Sequence, residues 1–153
     1  LFNIINPYII ESNVLDLFAG TGSLGIECLS RGASSAIFVD VSKESINIVK
    51  SNIKKARVEN ESTILNLDFK NAIDRLKIQN KKFDIIFMDP PYYKNMFIDA
   101  LSSIDEADLL CDDGIIVVEH DTKDKFVDKI GRLEKTRDKK YGNTTLTFYK
   151  LEE

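Results

Sequence analysis

The segment Asn13-Val-Leu-Asp-Leu-Phe-Ala-Gly20-Thr-Gly22-Ser-Leu-Gly25 constrains this chain more than any other. A short apolar run passes straight into three glycines spaced G-x-G-x-x-G, and Leu24–Leu29 then carries a helix pattern. A strand that turns this tightly into a helix lets backbone come close to a ligand at the helix N-terminus. The spacing is common to many nucleotide and cofactor folds, and a plain tight turn would also satisfy it. The rest of the chain repeats the strand-then-helix order. Ala36–Val39, Thr63–Leu67, Phe83–Met88 and Ile115–Val118 read as strands. Between them, Ile46, Val49, Ile53 and Ala56, then Ala72, Ile73 and Leu76, then Phe97, Ala100, Leu101 and Ile104 recur at helical spacing, with Ser42 placed to cap the first set. Apolar runs separated by helices are the pattern of a parallel sheet buried on both faces. Thr145–Leu151 instead alternates with period two after Tyr141-Gly142-Asn143, which predicts an antiparallel hairpin with Leu133–Lys139. The expected fold is α/β, an open sheet with an antiparallel finish and helices on both faces.

A length of 153 residues suits a single domain over 1–153, and no repeat or linker interrupts it. With 43% hydrophobic and 30% charged residues the chain has a globular composition, and no apolar run reaches the ~18–20 residues of a membrane span. Cys28 and Cys111 stand far apart, without a C-x-x-C or a His-rich partner set. A disulfide framework and a Cys/His zinc site are therefore not expected, and a reducing cytoplasm is the natural location. The formal net charge of −4 does not advertise a nucleic-acid binder. The opening Leu1-Phe2-Asn3, without Met or a basic leader, is expected to follow a removed N-terminal segment rather than to be a signal peptide.

Acidic residues sharpen the reading of the glycine turn. Asp16 sits inside the apolar strand end, where a carboxylate is costly unless it meets a donor or a cation. Asp40 closes the second strand, where an acid can accept from both ribose hydroxyls. A carboxylate at the turn would repel the pyrophosphate of NAD, whereas it could hold the ammonium or orient the sulfonium of S-adenosylmethionine. Asp68 ends the third strand and could accept from an adenine amino group with Phe69 near the ring, or it could simply cap the next helix.

Asp89-Pro90-Pro91-Tyr92 ends the fourth strand. Two prolines remove two amide donors and hold the backbone out of a helix. The Asp89 carboxylate and the Pro90 carbonyl can then point together into the crevice at the carboxyl ends of the strands. Two acceptors suit an exocyclic amine on a planar base, whose lone pair is delocalised into the ring. Hydrogen bonds from both N–H groups would orient the nitrogen and stabilise the charge it gains on attacking a methyl group. Tyr92 offers a face on which a flipped-out base could stack.

Taken together, Asp16–Gly25 and Asp89–Tyr92 resemble the class I S-adenosylmethionine-dependent amino-methyltransferases. Phe2-Asn3-Ile4, Ser30-Arg-Gly-Ala33, Glu119-His120 and Tyr141-Gly142-Asn-Thr144, in that order, are similar to the bacterial branch that modifies a guanine N2 amine of small-subunit (16S) ribosomal RNA. The resemblance covers almost the whole chain. It implies a Rossmann-like, seven-stranded sheet with a reversed final strand. It implies Asp16, Gly20 and Gly22 around the methionine part of the cofactor, Asp40 at the ribose and Asp68 at the adenine, with Phe18, Ala19, Val41 and Phe69 also among the cofactor-binding residues. It also implies Asp89, Pro90, Pro91 and Tyr92 at the target amine, ribosomal RNA or a small-subunit assembly particle as partner, no membrane and no metal, and a monomer. Members of that branch carry an N-terminal extension with a basic hairpin; this chain is expected to bind cofactor without it, with methyl transfer in question.

Three alternatives stay open on the residues alone: an adenine-N6 methyltransferase, an NAD-binding oxidoreductase domain, and a non-catalytic RNA-binding module. His120, the one histidine, is expected to order local structure rather than act as a base, and Cys28 to be core. Lys123–Lys140 holds eight Lys and Arg against four Asp and Glu, and reads equally as a phosphate-facing patch or a solvated face.

Overall fold

The sheet is built from short strands whose side chains alternate between two helix-covered faces. In the computed structural model, which describes residues 1–90, 96–124 and 126–153, the elements run in the order α1 (Phe2–Ile9), β1 (Asn13–Asp16), α2 (Ser23–Ser30), β2 (Ser35–Val39), α3 (Lys43–Ala56), β3 (Ser62–Leu65), α4 (Phe69–Ile78), β4 (Phe83–Met88), α5 (Met96–Glu106), β5 (Leu110–Asp121), β6 (Lys129–Ile130), β7 (Leu133–Tyr141) and β8 (Thr144–Leu151). Their spatial order is β3-β2-β1-β4-β5-β8-β7-β6. The five strands from β3 to β5 are parallel, and β8 enters antiparallel to both β5 and β7. Among the described residues the sheet therefore has eight strands rather than the seven expected. The addition is the two-residue β6, which pairs with β7 through Lys129–Glu134 and Ile130–Leu133 and is too short to leave a pattern in the sequence.

Period-two alternation divides the core. Leu15, Ile37, Val39, Ile86, Met88, Ile116 and Val118 face α4 and α5, where Ala72, Ile73, Leu76, Ala100, Leu101 and Ile104 meet them. Val14, Ala36, Phe38, Ile85, Phe87, Ile115 and Val117 face Ile5 and Ile9 of α1, Cys28 and Leu29 of α2, and Val49 and Ile53 of α3. Ser42 Oγ accepts the Ser45 N–H at 3.2 Å and caps α3 as its position in the sequence suggests. The helix α1 was not legible as such, because Pro7 lies inside it. Ile5 and Ile9 are fully buried, and their burial holds the helix where propensity alone would break it.

The direction of the chain reverses across the sheet between β1 and β4. From β1 the chain moves outward through β2 to β3, then returns to the other side of β1 as β4 and continues to β5. Such a switch point opens a crevice beyond the carboxyl ends of the central strands, where ligands of open α/β sheets bind.

Candidate active site

Three carboxyl-terminal strand ends converge at that crevice. β1 contributes Asp16, β4 runs out through Asp89 and Pro90, and β5 brings Glu119. A cavity of ≈ 680 Å³ opens between them, lined by Asp16, Ala19, Gly20, Asp89 and Glu119 among others. A second cavity of ≈ 480 Å³ adjoins it and shares Phe18, Gly20 and Asp89 with the first. Its other walls include Asp40, Val41, Leu67, Asp68, Phe69 and Pro90. Both volumes lie in the range of small-molecule sites.

The glycine turn has a separate reason for each glycine. Gly20 and Gly22 have φ of +59° and +78°, a left-handed backbone that side chains disfavour. Gly25 has none of that constraint; a Cβ there would lie 2.5 Å from the Phe38 ring, so it is the contact of α2 on β2 that needs a bare Cα. Gly22 caps α2 and lines neither cavity; a Cβ on it would sit against Val49 and Phe38. Its place is structural, one step behind the wall that Ala19 and Gly20 form.

Asp16 is only 3% exposed. Its Oδ2 accepts the Gly25 N–H at 3.4 Å, and none of the ion pairs among the described residues includes it. Loss of water raises its pKa to about 7, a rise that the Gly25 N–H opposes and that the charges of Asp89 and Asp40 increase. A carboxylate so placed is short of a positive partner, and it faces a cavity.

Asp40 is held in place by backbone. One oxygen accepts the Gly20 N–H at 3.0 Å and the other accepts the Ser42 N–H at 2.9 Å. Each carboxylate oxygen keeps a lone pair for a further donor. Asp68 caps α4 by accepting from Asn71 N at 2.8 Å and Asn71 Nδ2 at 3.1 Å, so the helix-cap alternative is what its hydrogen bonds show, although it also reaches the smaller cavity. Phe69 stands with its ring 5.7 Å from that of Phe18, and the two flank an apolar chamber closed by Leu17, Leu67 and Met96.

Asp89 has a raised pKa of about 6, chiefly from lost solvation and then from the carboxylate of Glu119 beside it. Pro91 and Tyr92, the rest of the expected amine-facing set, lie outside the described residues. Glu119, which entered the sequence reading only within the Glu119-His120 resemblance and with no role, joins the site; the β4–β5 register, Met88 beside Val118, brings the next pair together. Tyr141 and Thr144, at the turn between β7 and β8, also reach the larger cavity. The hairpin signal was present in the sequence, but its place over the crevice follows from β8 pairing with β5.

His120 points away from this crevice. Its Nδ1–H donates to the Asp121 carbonyl at 2.9 Å, its Nε2 is 2.6 Å from Thr147 Oγ, and its ring packs 3.9 Å from that of Phe126. Cys28 is fully buried, and burial pushes its thiol up to about 12, which leaves it a core residue. Among the described residues no cluster of His, Cys, Asp and Glu is arranged to hold a metal, and no helix is long and apolar enough to cross a membrane.

Comparison with known proteins agrees with this architecture. A family model described as "Conserved hypothetical protein 95" matches residues 1–150. YlbH of Bacillus subtilis, named as a candidate rRNA methyltransferase, is 40% identical over 150 residues, covering 98% of this chain and 82% of its own. Ribosomal RNA small subunit methyltransferase D of Haemophilus influenzae is 39% identical over 128 residues, 82% of this chain and 64% of that protein. A solved structure of a conserved hypothetical protein from Streptococcus pyogenes superposes with a TM-score of 0.90 at 36% identity, covering 99% of this chain and 92% of that one.

Proposed function

The chain belongs to the conserved hypothetical protein 95 family, and from that membership and the site's geometry we propose that it is an S-adenosylmethionine-dependent methyltransferase acting on guanine N2 of small-subunit ribosomal RNA. One observation carries the cofactor assignment: Asp16, almost wholly buried and without a cationic partner among the described residues, on the wall of a cavity at the switch point. An ammonium or a sulfonium supplies the missing charge. A pyrophosphate does not fit there, because the Asp16 carboxylate already accepts from an amide of the first turn of α2.

S-adenosylmethionine, when bound, supplies a methyl group on a sulfonium that is already an activated leaving group, so the reading needs no metal. Gly20 and Ala19 provide close backbone approach and Asp16 the anion for the cofactor's amino-acid end. Asp40, fixed through both oxygens, presents its remaining lone pairs to the ribose. Phe18 and Phe69, with Val41 and Asp68 at the edge, receive the adenine in the smaller chamber. Asp89 and the Pro90 carbonyl accept from the target amine and align its lone pair for in-line attack. Transfer of the methyl group would leave the electron pair of the broken S–C bond on sulfur and a proton on the newly alkylated nitrogen, which water would take up. Pro91 and Tyr92 complete this rim on the same reading, with the base stacked on Tyr92. The protein works as a monomer and a single domain in the cytoplasm, on RNA or a small-subunit assembly particle.

Calorimetric titration with S-adenosylhomocysteine tests the cofactor half, beside NAD and an Asp40→Ala control. One-to-one binding that weakens in the variant, with none for NAD, is the expected result; NAD binding alone would replace this reading with an oxidoreductase. Transfer of radiolabelled methyl from S-adenosylmethionine to small-subunit RNA tests the other half. If binding occurs, and neither naked RNA nor assembly particles accept label, a non-catalytic module is left.

A further inference from the structure

Given that reading, the site still has to choose among the amines of guanine, adenine and cytosine. We propose that Glu119 makes the choice: its carboxylate accepts the ring N1–H of guanine while Asp89 accepts the neighbouring N–H of the exocyclic amine.

The placement follows from the sheet. β4 and β5 run parallel with Phe87 beside Val117 and Met88 beside Val118, so the next residues, Asp89 just past the end of β4 and Glu119 still within β5, stand side by side. Alternation along β5 directs Val117 and Glu119 to the crevice, and both line the larger cavity together with Asp89. His120 is turned to the opposite face and is engaged there by Asp121 and Thr147. Among the described residues no ion pair neutralises Asp89 or Glu119. Two adjacent carboxylates in a cleft repel each other, and a ligand with two adjacent donors relieves that repulsion. Asp89 holds its proton more tightly than a free carboxylate does, first through lost solvation and then through Glu119 beside it.

Guanine offers such an edge, with N1–H directly beside the 2-amino group. In adenine the amine adjoins N1, and in cytosine it adjoins N3. Each of these ring nitrogens is an acceptor whose lone pair would face the Glu119 carboxylate. The Pro90 carbonyl is left for the second N–H of the amine, so every donor on the reacting edge has one acceptor.

The test uses a small-subunit RNA transcript whose methylated guanine has first been mapped with the unmodified transcript. That nucleotide is then replaced by 2-aminopurine, which keeps the 2-amino group and lacks N1–H. Wild-type protein is expected to methylate the guanine substrate about 10–100-fold better in kcat/KM, the range for one hydrogen bond to a charged group. Glu119→Gln is expected to narrow that ratio, since its amide can donate to the unprotonated N1, and Glu119→Asp to keep most of it. Equal use of the two RNAs by wild type would overturn the proposal without any variant. So would an unchanged ratio in a Glu119→Gln protein with a native melting curve. No methylation of the guanine transcript, or of its assembled particle, would instead overturn the methyltransferase reading beneath it.

Discussion

At the scale of single residues, the pH response of cofactor binding should follow Asp16. A carboxyl group with one long hydrogen bond and a pKa of about 7, against 3.8 in an ordinary setting, is more readily protonated in the folded chain than in the unfolded one. Its contribution to stability is therefore full below about pH 4 and declines as pH rises through 7. Asp16→Asn should raise stability at pH 8 by a few kcal/mol, on the order of 2–4, and by little at pH 4, as read from denaturant midpoints. The same group must be ionised to hold a cation. Affinity for S-adenosylhomocysteine should be flat above pH 7.5 and weaken up to about tenfold per unit below 6.5 in wild type, with binding largely lost in Asp16→Asn. The position was legible because a lone acid inside an apolar strand is expensive in any fold. Gly22 shows where that kind of reading stops. The motif includes it, but only the packed structure tells that its φ and its contacts with Val49 and Phe38 by themselves require a glycine.

The helix α2 meets the sheet through one missing methyl group. Gly25→Ala would place a carbon 2.5 Å from the Phe38 ring, buried in a central strand, and should cost about 1–3 kcal/mol and shift the turn along with α2. Gly20→Ala meets nothing within 4 Å and should cost only the backbone strain, roughly 1–2 kcal/mol. Thermal melts of the two variants would separate packing from strain. The β7–β8 hairpin divides its charges in a comparable way. Lys129, Arg132 and Lys135 pair with Glu152, with Asp105 and Asp108, and with Asp128 and Asp138. Lys139 and Lys140 are exposed beside Tyr141, at the rim of the larger cavity, and take no part in those pairs. Replacing both with Ala should weaken RNA association and lower its salt dependence by about two counterions, with an unchanged melting curve. In the sequence all these cations looked alike, because packing decides which of them meet a carboxylate, as where Asp105 and Asp108, at and just past the end of α5, reach Arg132. Among the strands, Phe83–Met88 agrees in full, since a strand buried on both faces leaves an unbroken apolar run, whereas Ile115–Val118 marks only the apolar middle of β5 (Leu110–Asp121).

For the molecule as a whole, the switch point between β1 and β4 gathers residues from the ends of five strands, β1 to β5, around two adjoining cavities, so a ligand bound there should be felt by the entire sheet. A ligand at 100 times its dissociation constant adds about 2.7 kcal/mol to the folded state. For a chain of this size that corresponds to a rise of roughly 5–10 °C in Tm with S-adenosylhomocysteine, and none with NAD. The parallel direction of the central strands was foreseeable from the strand–helix alternation, and the antiparallel finish from the period-two pattern of Thr145–Leu151, whereas the order of the strands was not. The wall of the cavity was not, because the meeting of Asp89 with Glu119 depends on the register of β4 on β5, which no local pattern encodes. Strand order has one more consequence. β8 is the latest strand in the chain, yet it lies between β5 and β7. A polypeptide leaving the ribosome presents β1 to β5 first, and the outer edge of β5 from Ile116 to Asp121 stays unpaired until Thr144–Tyr149 emerge to zip along it. Between those two moments the nascent sheet carries an open apolar edge, so the stretch 122–143 sets how long each new copy is exposed to pairing with its neighbours on the same message.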